Sequence, residues 1–354
     1  MRTIRTALAA ATIIFATATA SPAAKHVIHV SVDGLSGVLL EQLLSGDDEQ
    51  GLDNFRRLVT EGASTFNART DFTHTITLPN HTSMLTGRPV LKPEGQPETV
   101  PHGYTHNSTP ESGWTLHNHG NPAVEYVASV FDVCRDHGLT TGLFASKSKF
   151  TIYDRSYNKR TGAKDLIDED NGRDKIGRYS YKQNAEKMHK QCVDFVKTYH
   201  PEYCFVHYHN PDSAGHEFEW GSPEWIEAVR EVDECIGELL EMIEKDDKLR
   251  GKTVLIITAD HGGLEKDHVD SRVRGIYTIP VFVWGAGVKP GADLYALNPR
   301  TRQDPGEGRP DYNAKLQPIR NGDTGNLALS LLRLDPIPGS SINVYQDLRV
   351  TDAR

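Results

Sequence analysis

The 354-residue chain has only four cysteines, Cys134, Cys192, Cys204 and Cys235, and no two of them form a Cys-x-x-Cys pair. A zinc-thiolate site is therefore not expected. The four remain compatible with two disulfides, in any of three pairings, or with buried free thiols. Basic excess is lacking too. Lys and Arg number 39 against 48 Asp and Glu, a formal net charge of -9. That balance excludes a nucleic-acid scaffold, so no nucleic-acid polymer is expected as a partner. A small anionic ligand stays compatible, because a local metal site can reverse the field. Beyond the first two dozen residues, no apolar run approaches the length of a membrane span. Disorder is also excluded: 37% hydrophobic and 8% aromatic residues describe a globular chain.

What is present begins with a leader-like segment. Arg2 and Arg5 precede a short apolar run, Ala7 to Ala16, and Ala18-Thr19-Ala20 fits a small-x-small cleavage pattern. Residues 1–23 are expected to be a signal peptide, which makes the protein exported, periplasmic or secreted. Residues 24–354 are expected to form one domain.

Apolar, β-branched runs at His26–Asp33, Leu139–Ser146, Tyr203–His209, Thr253–Thr258 and Ile279–Trp284 predict buried strands. Helical patterns are expected at Asn54–Gly62, Val124–His137, Ser222–Asp246 and Gly322–Leu334. The alternation implies an α/β fold with a mostly parallel central sheet flanked by helices. Sites in such sheets form at the carboxyl ends of strands, which brings Asp33, Asp212 and Asp260 together. The stretches Lys92–Asn121 and Lys289–Asn321 are expected to be irregular.

Acidic residues and histidines follow the strands in clusters: Asp33-Gly34, Asp212-xxx-His216, Asp260-His261-Gly262-Gly263, and His268 seven residues on. Carboxylates and imidazoles together suit zinc-type ions. A pair of ions about 4 Å apart can clamp the attacking and leaving oxygens of an in-line displacement. Asp33, Asp212, His216, Asp260, His261 and His268 are the candidate ligands for two divalent ions, zinc in the first instance. Each cluster alone is weak, since an Asp after a strand is more often a cap or a turn residue.

The set resembles the alkaline phosphatase superfamily, and within it the type I phosphodiesterase/nucleotide pyrophosphatase family. The matching motifs are Val32-Asp33-Gly34, Thr77-Leu78-Pro79-Asn80-His81, His102-Gly103-x-x-x-Asn107, Pro211-Asp212-x-x-Gly215-His216 and Ala259-Asp260-His261-Gly262-Gly263. The resemblance implies an alkaline phosphatase-like three-layer sandwich. It implies that Asp33, Asp260 and His261 hold one ion, which Thr77 also touches, and that Asp212, His216 and His268 hold the other. His268 fills the third histidine place as the only histidine after His261. Thr77 would be the nucleophile, forming a phospho-threonine, and Asn107 would donate to a phosphoryl oxygen.

The implied activity is phosphodiester hydrolysis. Phosphonate hydrolysis and phosphomonoester hydrolysis are alternatives on the same chemistry, and a non-catalytic binding protein is the remote one. Leu78 stands where nucleotide-cleaving members usually have an aromatic residue. Lys147 and Lys149 resemble a paired-lysine run that binds a substrate carboxylate in phosphonoacetate hydrolases; solvated loop lysines are the competing reading. The expected partner is a small phosphorylated or phosphonate substrate.

Overall fold

The computed structural model describes residues 24–46, 51–165 and 167–352, so the expected leader lies outside the described residues. Eight strands form one sheet: β1 (His26–Val32), β2 (Ala63–Arg69), β3 (Thr141–Ala145), β4 (Arg178–Tyr181), β5 (Tyr203–Tyr208), β6 (Thr253–Thr258), β7 (Thr278–Gly285) and β8 (Ala292–Asp293). Their order is β4-β3-β5-β1-β6-β7-β2-β8. The sheet is mostly parallel, with β7 antiparallel to both of its neighbours, β6 and β2.

Every residue of β1, β3, β5 and β6 is buried. Successive side chains of a strand point to opposite faces, so helices must cover both faces of this central part. The apolar, β-branched sequences of these strands fit that burial. The chain therefore has the layered α/β architecture expected of it. Among the described residues, no helix is long and apolar enough to cross a membrane.

Helix Pro223–Lys245 follows the predicted span closely. Ser222 caps it by accepting the Trp225 N–H at 3.2 Å, and Pro223 occupies the first turn, where no N–H is needed. Its buried stripe includes Val229, Val232, Ile236, Leu239 and Leu240. The helix expected at Val124–His137 is shorter and begins only at Val130. Asp132 accepts from both the N–H and the hydroxyl of Ser129, at 2.8 and 2.7 Å, which fixes the start there. All four cysteines are free thiols, and Cys192 and Cys204 approach to 3.9 Å between sulfurs.

Candidate active site

The three aspartates meet because β1 lies between β5 and β6. The register pairs Ser31 with His207 on one side and with Thr258 on the other. Asp33 follows β1, Asp260 follows β6, and Asp212 sits in the first turn of helix Asn210–Phe218 after β5. The Asp212 N–H donates to the Asp33 carbonyl at 3.0 Å. Close approach is possible because Gly34 adopts φ +74°, and a Cβ there would stand 2.8 Å from the Asp212 Cα.

Four polar atoms converge with no hydrogen-bond partner in the protein: Asp33 Oδ1, Asp212 Oδ1, Asp260 Oδ2 and His261 Nε2. His261 Nε2 lies 3.4 Å from Asp33 Oδ1, 3.3 Å from Asp260 Oδ2 and 3.8 Å from Asp212 Oδ1. Its Nδ1 lies 2.9 Å from the Gly262 carbonyl. His268 stacks on His261 with ring centroids 3.6 Å apart, and its Nε2 is 3.6 Å from Asp212 Oδ1. Its Nδ1 is held 2.7 Å from the Thr75 carbonyl. Two groups of donor atoms are compact enough for an ion, Asp33/Asp260/His261 and Asp212/His261/His268. His261 thus belongs to both. His216 stands at the exposed rim, with Nε2 3.4 Å from Asp212 Oδ1.

Burying like charges so closely shifts their titration. Burial and the neighbouring Asp33 push Asp260 up to about 8. Burial would raise Asp33 as well, but the Lys147 ammonium, the bond from His207 and the nearby His261 imidazole hold it well below the usual carboxylate range. His261 is driven up to about 9 by the surrounding carboxylates against the pull of burial. Such opposed shifts within one cleft are the usual signature of a functional cluster.

Thr77 opens helix Thr77–Thr86, every residue of which is buried. The helix thus starts at Thr77 itself, two residues before Pro79. Among the described residues, no protein group bonds the Thr77 hydroxyl. One turn on, His81 Nδ1 lies 2.8 Å from the Thr77 carbonyl and 3.5 Å from Asp260 Oδ2, while its Nε2 meets Ser31 Oγ at 2.8 Å. Asn321 Nδ2 bonds Asn80 Oδ1 at 3.0 Å and reaches the Asp260 carbonyl at 3.3 Å. These links hold the first turn of the helix against the end of β6. The Leu78 N–H donates to Asn107 Oδ1 at 3.0 Å.

Three expectations change in detail. The Leu78 side chain is fully buried in the main apolar cluster, so only its backbone faces Asn107. Lys147 is neither a solvated loop residue nor free for a ligand: its Nζ sits 2.8 Å from Asp33 Oδ2 and 2.5 Å from Asp212 Oδ2. Lys149 bonds Asn107 Oδ1 at 3.1 Å.

Two side chains were not singled out from the sequence. His207, on β5, meets Asp33 Oδ2 at 2.9 Å. Trp220 donates its indole N–H to the Gly34 carbonyl at 2.8 Å, and its ring fills the space where a Cβ on Gly215 or Gly263 would fall, at 2.5 and 2.0 Å. Neither gave a usable signal: His207 is one of two histidines within a strand run, and Trp220 lies outside every motif.

The family profile described as type I phosphodiesterase / nucleotide pyrophosphatase matches residues 27–322. The chain belongs to this family, whose members are hydrolases of phosphoester bonds. Murine ectonucleotide pyrophosphatase / phosphodiesterase 5 superposes with a TM-score of 0.60 at 14% identity, covering 92% of this chain and 99% of that one. It shares the fold. That structure is an inactive threonine-to-alanine variant in complex with AMP. Among curated relatives, a 2,3-bisphosphoglycerate-independent phosphoglycerate mutase of Parasynechococcus marenigrum is 35% identical over 82 residues, 23% of this chain and 14% of the relative. GPI ethanolamine phosphate transferase 1 of Neurospora crassa is 31% identical over 135 residues, 36% of this chain. The match spans only 12% of that relative's length.

Proposed function

We propose that the protein is a metal-dependent phosphodiesterase that uses Thr77 as its nucleophile and acts outside the cytoplasm on small nucleotide-like phosphoesters. The observation that carries this reading is the convergence of Asp33 Oδ1, Asp212 Oδ1, Asp260 Oδ2 and His261 Nε2, buried and unpartnered. Buried polar atoms without partners are costly, and a cation would satisfy the carboxylate oxygens and a deprotonated imidazole nitrogen together. The mixture of carboxylate and imidazole donors suits zinc. Asp33, Asp260 and His261 would hold one ion, with Thr77 beside it, and Asp212, His216 and His268 the other. Bound ions of this type lower the pKa of a coordinated hydroxyl or water and stabilise charge on a departing oxygen.

In the first half-reaction the Thr77 hydroxyl gives up its proton, its oxygen attacks phosphorus, the bond from phosphorus to the leaving oxygen breaks, and the leaving group departs as the alcohol after taking up a proton. The product is a phospho-threonine. In the second, a water oxygen attacks phosphorus, the bond to the Thr77 oxygen breaks, and the hydroxyl is regenerated. Asn107 Nδ2 donates to a non-bridging oxygen as charge develops. The position of Thr77 at the start of a helix adds the favourable field of the helix N-terminus for an anion. The AMP complex of the murine relative supports a nucleotide-like substrate, and its threonine-to-alanine inactivation supports the role of a threonine.

Phosphonates and phosphomonoesters would use the same groups. Purified protein given bis-p-nitrophenyl phosphate, p-nitrophenyl phosphate and phosphonoacetate, with and without zinc, separates the three. The diester is expected to be the best substrate. A Thr77→Ala variant is expected to lose turnover while keeping its fold and bound metal. Retention of full activity by that variant overturns the mechanism.

A further inference from the structure

Asn107 is held by two donors. Its Oδ1 accepts the Leu78 N–H at 3.0 Å and the Lys149 ammonium at 3.1 Å. A carbonyl oxygen offers two lone pairs, so both are in use. Each of the two neighbours can only donate. A flipped amide would set its NH2 against two donors, with no acceptor for either hydrogen. The orientation of the side chain is therefore decided by chemistry, with Nδ2 turned away from Leu78 N and Lys149 Nζ. Among the described residues no protein acceptor takes the Nδ2 hydrogens.

Lys149 reaches this position because β3 ends at Ala145 and the chain enters a single 3-10 turn, Ser148–Phe150. Phe150 is fully buried and anchors that turn against His81 and His207, with ring centroids 4.7 and 4.1 Å apart. The Thr109 and Ser148 hydroxyls meet at 3.2 Å, which ties the Asn107 loop to the same turn. Asn107 is the one hydrogen-bond partner of the Lys149 ammonium among the described residues. Lys147, two residues earlier, is committed to Asp33 and Asp212. The two lysines thus have different tasks.

We propose that Lys149 is a positioning residue, which locks the Asn107 amide so that its NH2 faces the phosphoryl group beside Thr77. This rests on the catalytic reading of Thr77 and Asn107 given above. A lysine that touched substrate directly would act independently of Asn107. A lysine that acts through Asn107 would not.

A double-mutant cycle on the zinc-loaded enzyme with bis-p-nitrophenyl phosphate separates the two. Lys149→Met is expected to lower kcat about tenfold with KM changed less than about twofold, a smaller loss than deleting the donor itself. In an Asn107→Ala background the same change is expected to cost less than about twofold. Lys149→Arg, which keeps a donor, is expected to recover most of kcat, and serves as the second variant if the methionine form is poorly folded. Equal losses from Lys149→Met in both backgrounds, or none in the wild-type background, overturn the proposal. An Asn107→Ala enzyme with undiminished kcat is a different result: it overturns the catalytic role of Asn107 and removes that of Lys149 with it.

Discussion

The Asp33 carboxylate and the His207 imidazole meet at 2.9 Å across the adjacent parallel strands β1 and β5. Both side chains are fully buried. Burial holds the His207 pKa down to about 4, so the ring is neutral near pH 7 and donates its Nε2 hydrogen to Oδ2. That leaves Oδ1 of Asp33 as the oxygen aimed into the cluster. Partners that orient a ligating carboxylate typically contribute 10–100-fold in metal affinity. His207→Leu is therefore expected to weaken zinc binding by about that factor, read by competition with a chromogenic chelator.

Gly34 separates Asp33 from the turn that carries Asp212. Its φ of +74° is strained for any side chain, and the added carbon would meet the Asp212 backbone at 2.8 Å. Gly34→Ala is expected to destabilise the protein by about 1–3 kcal/mol in urea unfolding. It is also expected to weaken metal binding, because Asp212 must move.

Lys147 supplies the positive charge that the Asp33 and Asp212 carboxylates share. Removing one partner of a buried ion pair typically costs about 3–5 kcal/mol. Lys147→Met is expected to lower the Tm of the metal-free protein. Zinc should then raise the Tm more in the variant than in the wild type, since a bound cation replaces the lost charge. Calorimetry of both proteins, with and without chelator, measures the difference. A variant as stable as wild type without metal would show that Lys147 carries no such load.

His102 reports on acid stability away from the carboxylate–histidine cluster. Its Nδ1 accepts the Tyr104 N–H at 3.0 Å, and its Nε2 lies 3.2 Å from Ser83 Oγ. Burial lowers its pKa from 6.5 to about 3. A depressed histidine contributes stability that is fully present above pH 6.5 and is lost as pH falls toward 3. The slope is about 1.4 kcal/mol per pH unit for one proton. His102→Asn, which can still accept the Tyr104 N–H, is expected to flatten urea-derived stability between pH 6 and pH 4 by about that slope.

The parts of the molecule legible in the sequence were those where one signal dominates. Thr253–Thr258 is a pure β-branched and apolar run, and its strand ends fall where the pattern stops. The motif aspartates could be placed together because strand-end logic needs only the order of strands and helices. The antiparallel direction of β7 left no local trace, since strand pairing is a tertiary choice. β2, with the sequence ASTFNAR, was obscured by its polar residues: Arg69 is buried only because it bonds the Asn67, Gly306 and Gly308 carbonyls. Helix Ala185–Tyr199 was hidden by its charges, its buried stripe reduced to Met188, Cys192, Val196 and neighbours. Within the site, the candidate ligand set follows from residue type, whereas the commitment of Lys147 to two aspartates depends on distances that sequence does not carry.

The slot filled by Trp220 has an optical consequence. The indole touches the backbone of the three turns that carry the candidate ligands, through Gly34, Gly215 and Gly263, and its ring lies 5.3 Å from His216 and 6.0 Å from His268. A protonated imidazole quenches a neighbouring indole, and a metal-bound one does so differently. The emission of this buried tryptophan is therefore expected to change when the site is loaded, and a Trp220→Phe variant separates that change from the signal of the other three tryptophans.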